Sequence, residues 1–452
     1  MNTPVDTPVN PAVNPPVHKS RGKSRSRTAV TAALAIALAG GALTAPAAAT
    51  ASTDTGNTQN AESATAGEDR RATPLTRAQL ARELERTLKE AGYVGIAVEV
   101  RHGDTRIHAD AGEAALGTGR PTPRNAVFRA ASVTKSFVAT VVLQLVAEGR
   151  LSLDDTVETW LPGLVDGNGN DGRLITLRHL LQHTGGIYNW DHTEVTGDTA
   201  EDFERTRFDR FTPEESIAHA MRHRPDFPPA APGDPAPPWN YSNPGYLIAG
   251  MVIEKATGRP WAEEVERRII RPLGLRDTRA PGDDPFLRAP HARTYHTFRG
   301  SDRWTDTTVR NMTSADAAGA LISTRRDLDR FYTALLRGRL LPAAQLAEMR
   351  RTVPVGGVIG EVMPGLGYGL GLMKQPLSCG GDRWGHGGDL DGATVRTGVT
   401  SDGSRSVVIA ASGKTAGFDQ LARAERAVQR LVERALCGNV NGGGGERVRD
   451  GG

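Results

Sequence analysis

Ser132-Val133-Thr134-Lys135, running into the apolar stretch Phe137-Val138-Ala139-Thr140-Val141-Val142-Leu143-Gln144-Leu145-Val146, decides how this chain is read. Residues three apart on a helix share a face. The Lys135 ammonium can therefore reach the Ser132 hydroxyl, and a lysine of lowered pKa can take its proton. A serine in the first helical turn also faces the positive end of the dipole, which stabilises negative charge developing near its oxygen. The spacing by itself is weak, because Ser20-Arg21-Gly22-Lys23 repeats it in a basic N-terminal segment. A bare S-x-x-K is more often a solvated serine at a helix start. What raises Ser132 is the apolar helix behind it and two further motifs downstream.

The N-terminus has the order of a targeting segment. Lys19, Arg21, Lys23, Arg25 and Arg27 form a basic region, an apolar stretch runs from about Ala29 to Leu43, and Ala45-Pro46-Ala47-Ala48-Ala49 offers small-residue cleavage sites. Residues 1–49 are expected to be a signal peptide and the product secreted; a retained anchor is the other reading, and the short alanine-rich core argues against a stable membrane span. The formal net charge is +3, but residues 1–49 contribute +4 of it, leaving −1 for the rest. A near-neutral exported domain gives no case for nucleic-acid binding. The two cysteines, Cys379 and Cys437, most simply form one structural disulfide in an oxidising compartment; two buried free thiols are the alternative.

Residues 50–74 are Thr/Ala/Ser/Gly-rich and read as a disordered linker. Thr76 is placed to cap a helix running to about Ala91 and closed by Gly92. Two short strands follow, Tyr93–Val100 and Arg106–Glu113, joined at Gly103-Asp104. After the Ser132 helix comes a mostly helical middle. Strand patterns return at Gly367–Met373, Thr394–Thr400 and Arg405–Ala411, the last two joined by the hairpin signal Ser401-Asp402-Gly403-Ser404. A last helix is expected over Phe418–Cys437, and the Gly-rich tail, 439–452, is expected to be disordered. Strands at both ends with helices between predict α+β architecture over 75–438: one antiparallel sheet flanked by helices, with an adjoining all-helical lobe.

Tyr241-Ser242-Asn243 follows the Pro-rich loop Pro235-Ala236-Pro237-Pro238-Trp239-Asn240 and precedes a helix starting near Pro244. A phenol beside a lysine ammonium can have a depressed pKa and act as general base. The Asn243 amide can hold both a substrate carbonyl and the lysine. The bland reading is a helix-start turn with a packed tyrosine. Two His-x-Gly stretches compete as a third motif, His183-Thr184-Gly185 and His386-Gly387-Gly388. The first follows a short helix, Leu177–Gln182, and reads as a helix end. The second lies between strands, where glycines let a substrate backbone approach and pair.

With Ser132, Tyr241 and His386 in this order, the chain resembles the class C β-lactamase and DD-peptidase family of active-site serine enzymes, which carry S-x-x-K, Y-x-N and a K/H-x-G triplet. The likeness spans roughly 75–438 and includes Leu180-Leu181-Gln182-His183-Thr184-Gly185-Gly186-Ile187 and Ala318-Gly319-Ala320-Leu321-Ile322-Ser323-Thr324. Within the family it is most similar to secreted D-alanyl-D-alanine carboxypeptidases, in the Tyr-Ser-Asn form, the His of the third triplet and the placement of Cys379 and Cys437. The resemblance implies a β-lactamase/transpeptidase-like fold and a secreted serine hydrolase working through an acyl-enzyme, a D-alanyl-D-alanine carboxypeptidase-like peptidase that binds penicillin. Catalysis would fall to Ser132, Lys135 and Tyr241, substrate binding to Asn243, His386, Gly387, Gly388 and Asp389. The oxyanion hole would come from the N–H groups of Ser132 and Asp389. No cofactor or metal is called for, and a monomer acting on a small peptide, ester, β-lactam or cell-wall stem peptide is expected.

The chain also departs from those carboxypeptidases. They usually have Thr at Gly387 and a hydroxyl residue at Asp389. They hold the substrate carboxylate with an Arg on the preceding strand, which here reads Gly371-Leu372-Met373-Lys374. An acid at 389 is unfavourable beside a carboxylate unless a cation offsets it. The alternatives are an esterase or amidase, then a class C-like β-lactamase, and last a penicillin-binding module without turnover. A metal enzyme built on His179 and His183 lacks the general-base Glu of H-E-x-x-H. An α/β-hydrolase is unsupported, because no serine lies in G-x-S-x-G.

Overall fold

The computed structural model describes residues 73–190 and 193–438. The signal segment, all but the end of the linker, and the tail therefore lie outside the described residues. The chain opens with α1 (Arg77–Ala91), started by a reciprocal capping box between Thr76 and Gln79 and ended by Gly92 at φ 68°. The hairpin β1 (Gly95–His102) and β2 (Thr105–Gly112) follows. The helices that build the site and its surroundings are α2 (Thr134–Ala147), α3 (Leu177–Gln182), α4 (Thr193–Thr196), α5 (Pro213–Ala220), α6 (Asn243–Thr257), α7 (Asp316–Gly319) and α8 (Arg325–Leu336). Then come β3 (Val353–Pro354), β4 (Gly367–Tyr368), β5 (Met373–Pro376), β6 (Asp382–Gly385), β7 (Gly387–Leu390), β8 (Ala393–Thr400), β9 (Arg405–Ser412) and the closing helix α9 (Phe418–Cys437).

The strands form one antiparallel sheet in the order β2-β1-β9-β8-β6-β5-β4-β3, with β7 also paired to β8. The N-terminal hairpin thus lies beside a C-terminal strand, Val98 opposite Ile409. Side chains alternate across the sheet. Val407 and Ile409 of β9 pack with Leu80, Leu84, Leu431 and Val432 of α1 and α9, whereas Val408 joins Phe137, Val141 and Phe331 on the helical-lobe face. Each such aliphatic side chain contributes roughly 1.5–3 kcal/mol on burial. The α+β expectation holds on this topology. Among the described residues, no helix is long and apolar enough to cross a membrane.

One expected element differs. The pattern at Gly367–Met373 predicts a single strand, but the chain folds into β4, a turn and the start of β5. Gly371 has φ +67°, and a Cβ there would meet Ala139 Cβ at 2.7 Å and Lys135 O at 2.9 Å. The turn is thus wedged against α2, and only glycine fits it.

Candidate active site

Ser132 sits on a 3-10 turn, Ala131–Val133, that leads into α2 rather than inside its first turn. Ala131 is held at φ 49°, a left-handed conformation that costs a non-glycine residue about 1–3 kcal/mol. The surroundings hold the turn in place: Ala130 N–H donates to Leu321 O at 2.7 Å, and Leu321 N–H donates to Thr134 Oγ1 at 3.1 Å. On the other side, a Cβ on Gly388 would lie 2.4 Å from Ala130 O. The glycine is what lets β7 close on the serine turn and brings the Asp389 backbone beside it.

Lys135 is fully buried. Its Nζ donates to Asn243 Oδ1 at 2.8 Å and to Ala318 O at 2.7 Å, and it lies 3.4 Å from Ser132 Oγ, the one partner of the three that can itself donate. All three partners are neutral, so desolvation prevails and holds the lysine well below its usual pKa. An uncharged Nζ can accept the serine proton. Asn243 is fixed at the start of α6, where its N–H donates to Asn189 Oδ1 at 2.8 Å. Its Oδ1 is taken by the lysine, so its Nδ2 donors are what it can offer a substrate carbonyl.

Tyr241 is buried against the lysine, whose Nζ stands 4.7 Å from the ring centre. The depressed phenol pKa expected from this neighbour is not found. Burial raises the pKa and outweighs the lowering effect of the nearby Ser132 hydroxyl. The hydroxyl has no well-formed hydrogen bond. Burial works against both charged forms, the Tyr241 phenolate and the Lys135 ammonium.

His386 does not point its ring at a substrate. The imidazole is buried, with Nε2 2.8 Å from the Tyr368 hydroxyl and Nδ1 2.6 Å from Gly387 O. Burial, with Lys135 nearby, pushes its pKa down to about 3. Tyr368 also lies 3.1 Å from His183 Nε2, and His183 Nδ1 accepts the Ser242 N–H at 3.1 Å. That last bond fixes the tautomers of the whole chain. Ser242 N–H donates to His183, His183 Nε2–H to Tyr368, Tyr368 O–H to His386, and His386 Nδ1–H to Gly387 O. The third motif is thereby tied to the second through two neutral imidazoles. His183 ends α3 in the left-handed conformation, as its helix-end reading predicts, yet its ring forms the site wall. His183, Tyr368 and the carbonyl of Ala318 are parts of this site that sequence reading missed. The His183-Thr184-Gly185 triplet and the family-like segments 180–187 and 318–324 were the available signals; Tyr368 had none.

Asp389 corrects a further expectation. Its side chain is not an uncompensated charge at the reacting carbonyl. It is buried and paired with Arg396 Nη1 at 2.9 Å and Lys414 Nζ at 3.0 Å. On β5, Met373 packs with Tyr241, Tyr368, Val355 and Leu366, while Lys374 pairs with Asp382 at 3.5 Å. Cys379 and Cys437 lie with Cα atoms 5.6 Å apart, a separation a disulfide spans. His179 accepts the Thr176 N–H through Nδ1 and reaches Ala230 O through Nε2, so it serves a helix cap rather than a metal pair with His183.

A nucleophile-type serine turned onto a buried lysine of depressed pKa, between a helical lobe and an antiparallel sheet, describes a serine hydrolase. The chain belongs to the β-lactamase family, whose model matches residues 80–431. Among solved structures it is similar to a D-stereospecific amidohydrolase from Streptomyces sp., with 42% identity and a TM-score of 0.71 over 81% of this chain and 100% of that one. It is 34% identical over 207 residues to esterase EstB of Burkholderia gladioli, covering 44% of this chain and 50% of the esterase. It is 27% identical over 288 residues to the D-alanyl-D-alanine-carboxypeptidase/endopeptidase AmpH of Escherichia coli K12, covering 62% and 69%. The chain spans 38–60% of the length of EstB and of three penicillin-binding proteins that it matches. By name, the amidohydrolase, the esterase and the carboxypeptidase/endopeptidase are all hydrolases, and they differ in the bond they are named for.

Proposed function

We propose that this domain is exported and hydrolyses a D-aminoacyl amide, peptide or ester bond whose leaving group carries no free carboxylate. Ser132 Oγ attacks the carbonyl and passes its proton to the neutral Nζ of Lys135. The Tyr241 phenol relays a proton to the leaving group, and water then releases the acyl group from Ser132. The N–H groups of Ser132 and Asp389 hold the oxyanion, and Asn243 and the β7 backbone hold the acyl part. The export reading rests on the basic, apolar and small-residue order of residues 19–49. The D-configuration is supported by the likeness to the Streptomyces amidohydrolase.

The observation that carries the leaving-group reading is β5. Where the carboxypeptidases have a carboxylate-binding Arg, Met373 is packed in an apolar cluster and Lys374 is engaged by Asp382. A second reading, a D-alanyl-D-alanine carboxypeptidase, is favoured by Lys374 itself, which is 36% exposed and could turn inward from its ion pair. The test compares a D-Ala-D-Ala peptide with its C-terminal amide and methyl ester. The neutral substrates should show at least about tenfold higher kcat/KM, equivalent to about 1.4 kcal/mol. A clear preference for the free acid would hand the assignment to the carboxypeptidase. Ser132→Ala should abolish turnover of all three and covalent labelling by a fluorescent penicillin; residual ester hydrolysis in that variant would refute the nucleophile.

A further inference from the structure

We propose that Glu194, His219 and His223 form a binding site for a divalent transition-metal ion of the zinc class. His219 lies in the last turn of α5, and His223 follows four residues later, where the backbone still turns: Met221 N–H donates to Ile217 O at 2.9 Å and His223 N–H to Ala220 O at 3.1 Å. Residues four apart on such a turn present their side chains to one side. Glu194 of α4 faces them. One potential ligand atom from each of the three residues falls within 4.8 Å of the other two. Glu194 Oε2 is 3.3 Å from His219 Nε2 and 3.8 Å from His223 Nε2.

These separations suit a metal. A tetrahedral ion with ligands at about 2.0–2.1 Å has ligand–ligand edges of about 3.3–3.4 Å. Two of the three edges are therefore within about half an ångström of closure before any ion enters. Two imidazoles and a carboxylate are a donor set suited to zinc, with a fourth position left for water. The ligands also have outer support. The Tyr188 hydroxyl donates to Glu194 Oε1 at 2.8 Å, and its ring stacks on His223 with centres 4.0 Å apart. Partners of this kind orient ligands and raise affinity.

Among the described residues, Arg222 opposes the ion. The Arg222 guanidinium donates to His219 Nδ1, which places the His219 proton on Nε2, the atom the metal needs. Arg222 is exposed and can swing into solvent, after which the proton moves to Nδ1. The site is separate from the acyl-transfer groups but on a segment that touches them: Asn189, next to Tyr188, accepts the Asn243 N–H. A bound ion would pin that segment to the end of α5.

The test uses the full chain, stripped with a chelator and titrated with zinc chloride by calorimetry, with the bound zinc counted by elemental analysis. One ion per chain is expected. His219→Ala/His223→Ala should weaken binding at least about a hundredfold, and Tyr188→Phe about tenfold, the effect of losing an outer partner. Circular dichroism and penicillin labelling equal to wild type would establish that the variants are folded. No zinc uptake by the wild-type chain, or uptake that survives the double substitution, overturns the proposal.

Discussion

Lys135 ties the chemistry to pH. Its pKa is depressed by desolvation, so the neutral amine is present above that lowered value and lost below it. The acylation rate should therefore rise with pH along a limb centred well below 10.5, and Lys135→Ala should lose roughly 10²-fold or more and the limb with it. An acylation rate with no such limb would refute Lys135 as the base. The Tyr368 hydroxyl makes a second case. In Tyr368→Phe two buried imidazole nitrogens lose their partner, at about 1–3 kcal/mol each. Melting temperature and kcat should both fall, and by less in kcat than for Lys135→Ala; full stability in this variant would show that the histidine chain is not needed. The sequence disclosed Ser132, Lys135, Tyr241 and Asn243 because each stands in a short pattern tied to a helix start. It did not disclose the His183–Tyr368–His386 chain, whose members are 185 and 18 residues apart and follow no spacing rule. The direction of the Tyr241 shift is not legible because the sequence shows a lysine beside the phenol and does not show the burial that raises its pKa.

At the level of elements, legibility follows local signals. α9 spans Phe418–Cys437 and α3 spans Leu177–Gln182, the boundaries their apolar period and flanking residues predict. The Gly367–Met373 strand failed because its break depends on Gly371 meeting Ala139 and Lys135, a contact between segments far apart in sequence. The cysteines belong to this scale. Cys437 ends α9 and Cys379 lies between β5 and β6, so a bond would fasten the helix to the turn joining those two strands. We propose that the exported protein carries it. Closing a loop with a sequence separation of 58 residues stabilises by about 4 kcal/mol in the loop-entropy model. The intact mass of exported protein should be two hydrogens lighter than the reduced chain, and Cys437→Ser should melt lower. Two alkylatable thiols in the native protein would end this reading. Leu431→Ala tests the same packing independently of the cysteines. The side chain is buried between α9 and the sheet, and its loss should cost about 2–5 kcal/mol by chemical denaturation.

The whole molecule is held where its two ends meet. Patterned strands near both termini were enough to predict a sheet built from distant segments. The charges that lock it were not legible, since nothing in the sequence pairs Asp389 with Arg396 and Lys414. In the structure Arg396 of β8 binds Asp389 of β7 and Glu425 of α9, and Lys414, just past β9, binds Asp389 from the other side. The network joins the active-site strand to the closing helix. Replacing Asp389 by threonine to gain carboxylate binding would break it rather than tune the site. Asp389→Asn leaves Arg396 with Glu425 but strips Lys414 of its carboxylate, and breaking a buried pair costs about 3–5 kcal/mol. The pH dependence has a definite sign. Arg396 and Lys414 outweigh the burial of Asp389 and hold its carboxyl below the usual 3.8. A carboxylate with a depressed folded pKa stabilises fully above its unfolded value and loses that stabilisation as pH falls through the folded one. The wild type should therefore exceed Asp389→Asn in unfolding free energy by a constant amount near neutrality, and the gap should narrow only below about pH 3.8. Urea unfolding of both proteins from pH 7 to pH 3 measures it. A gap that closes well above that pH, or no gap at neutrality, would mean that the ion pairs do not hold the sheet to its last helix.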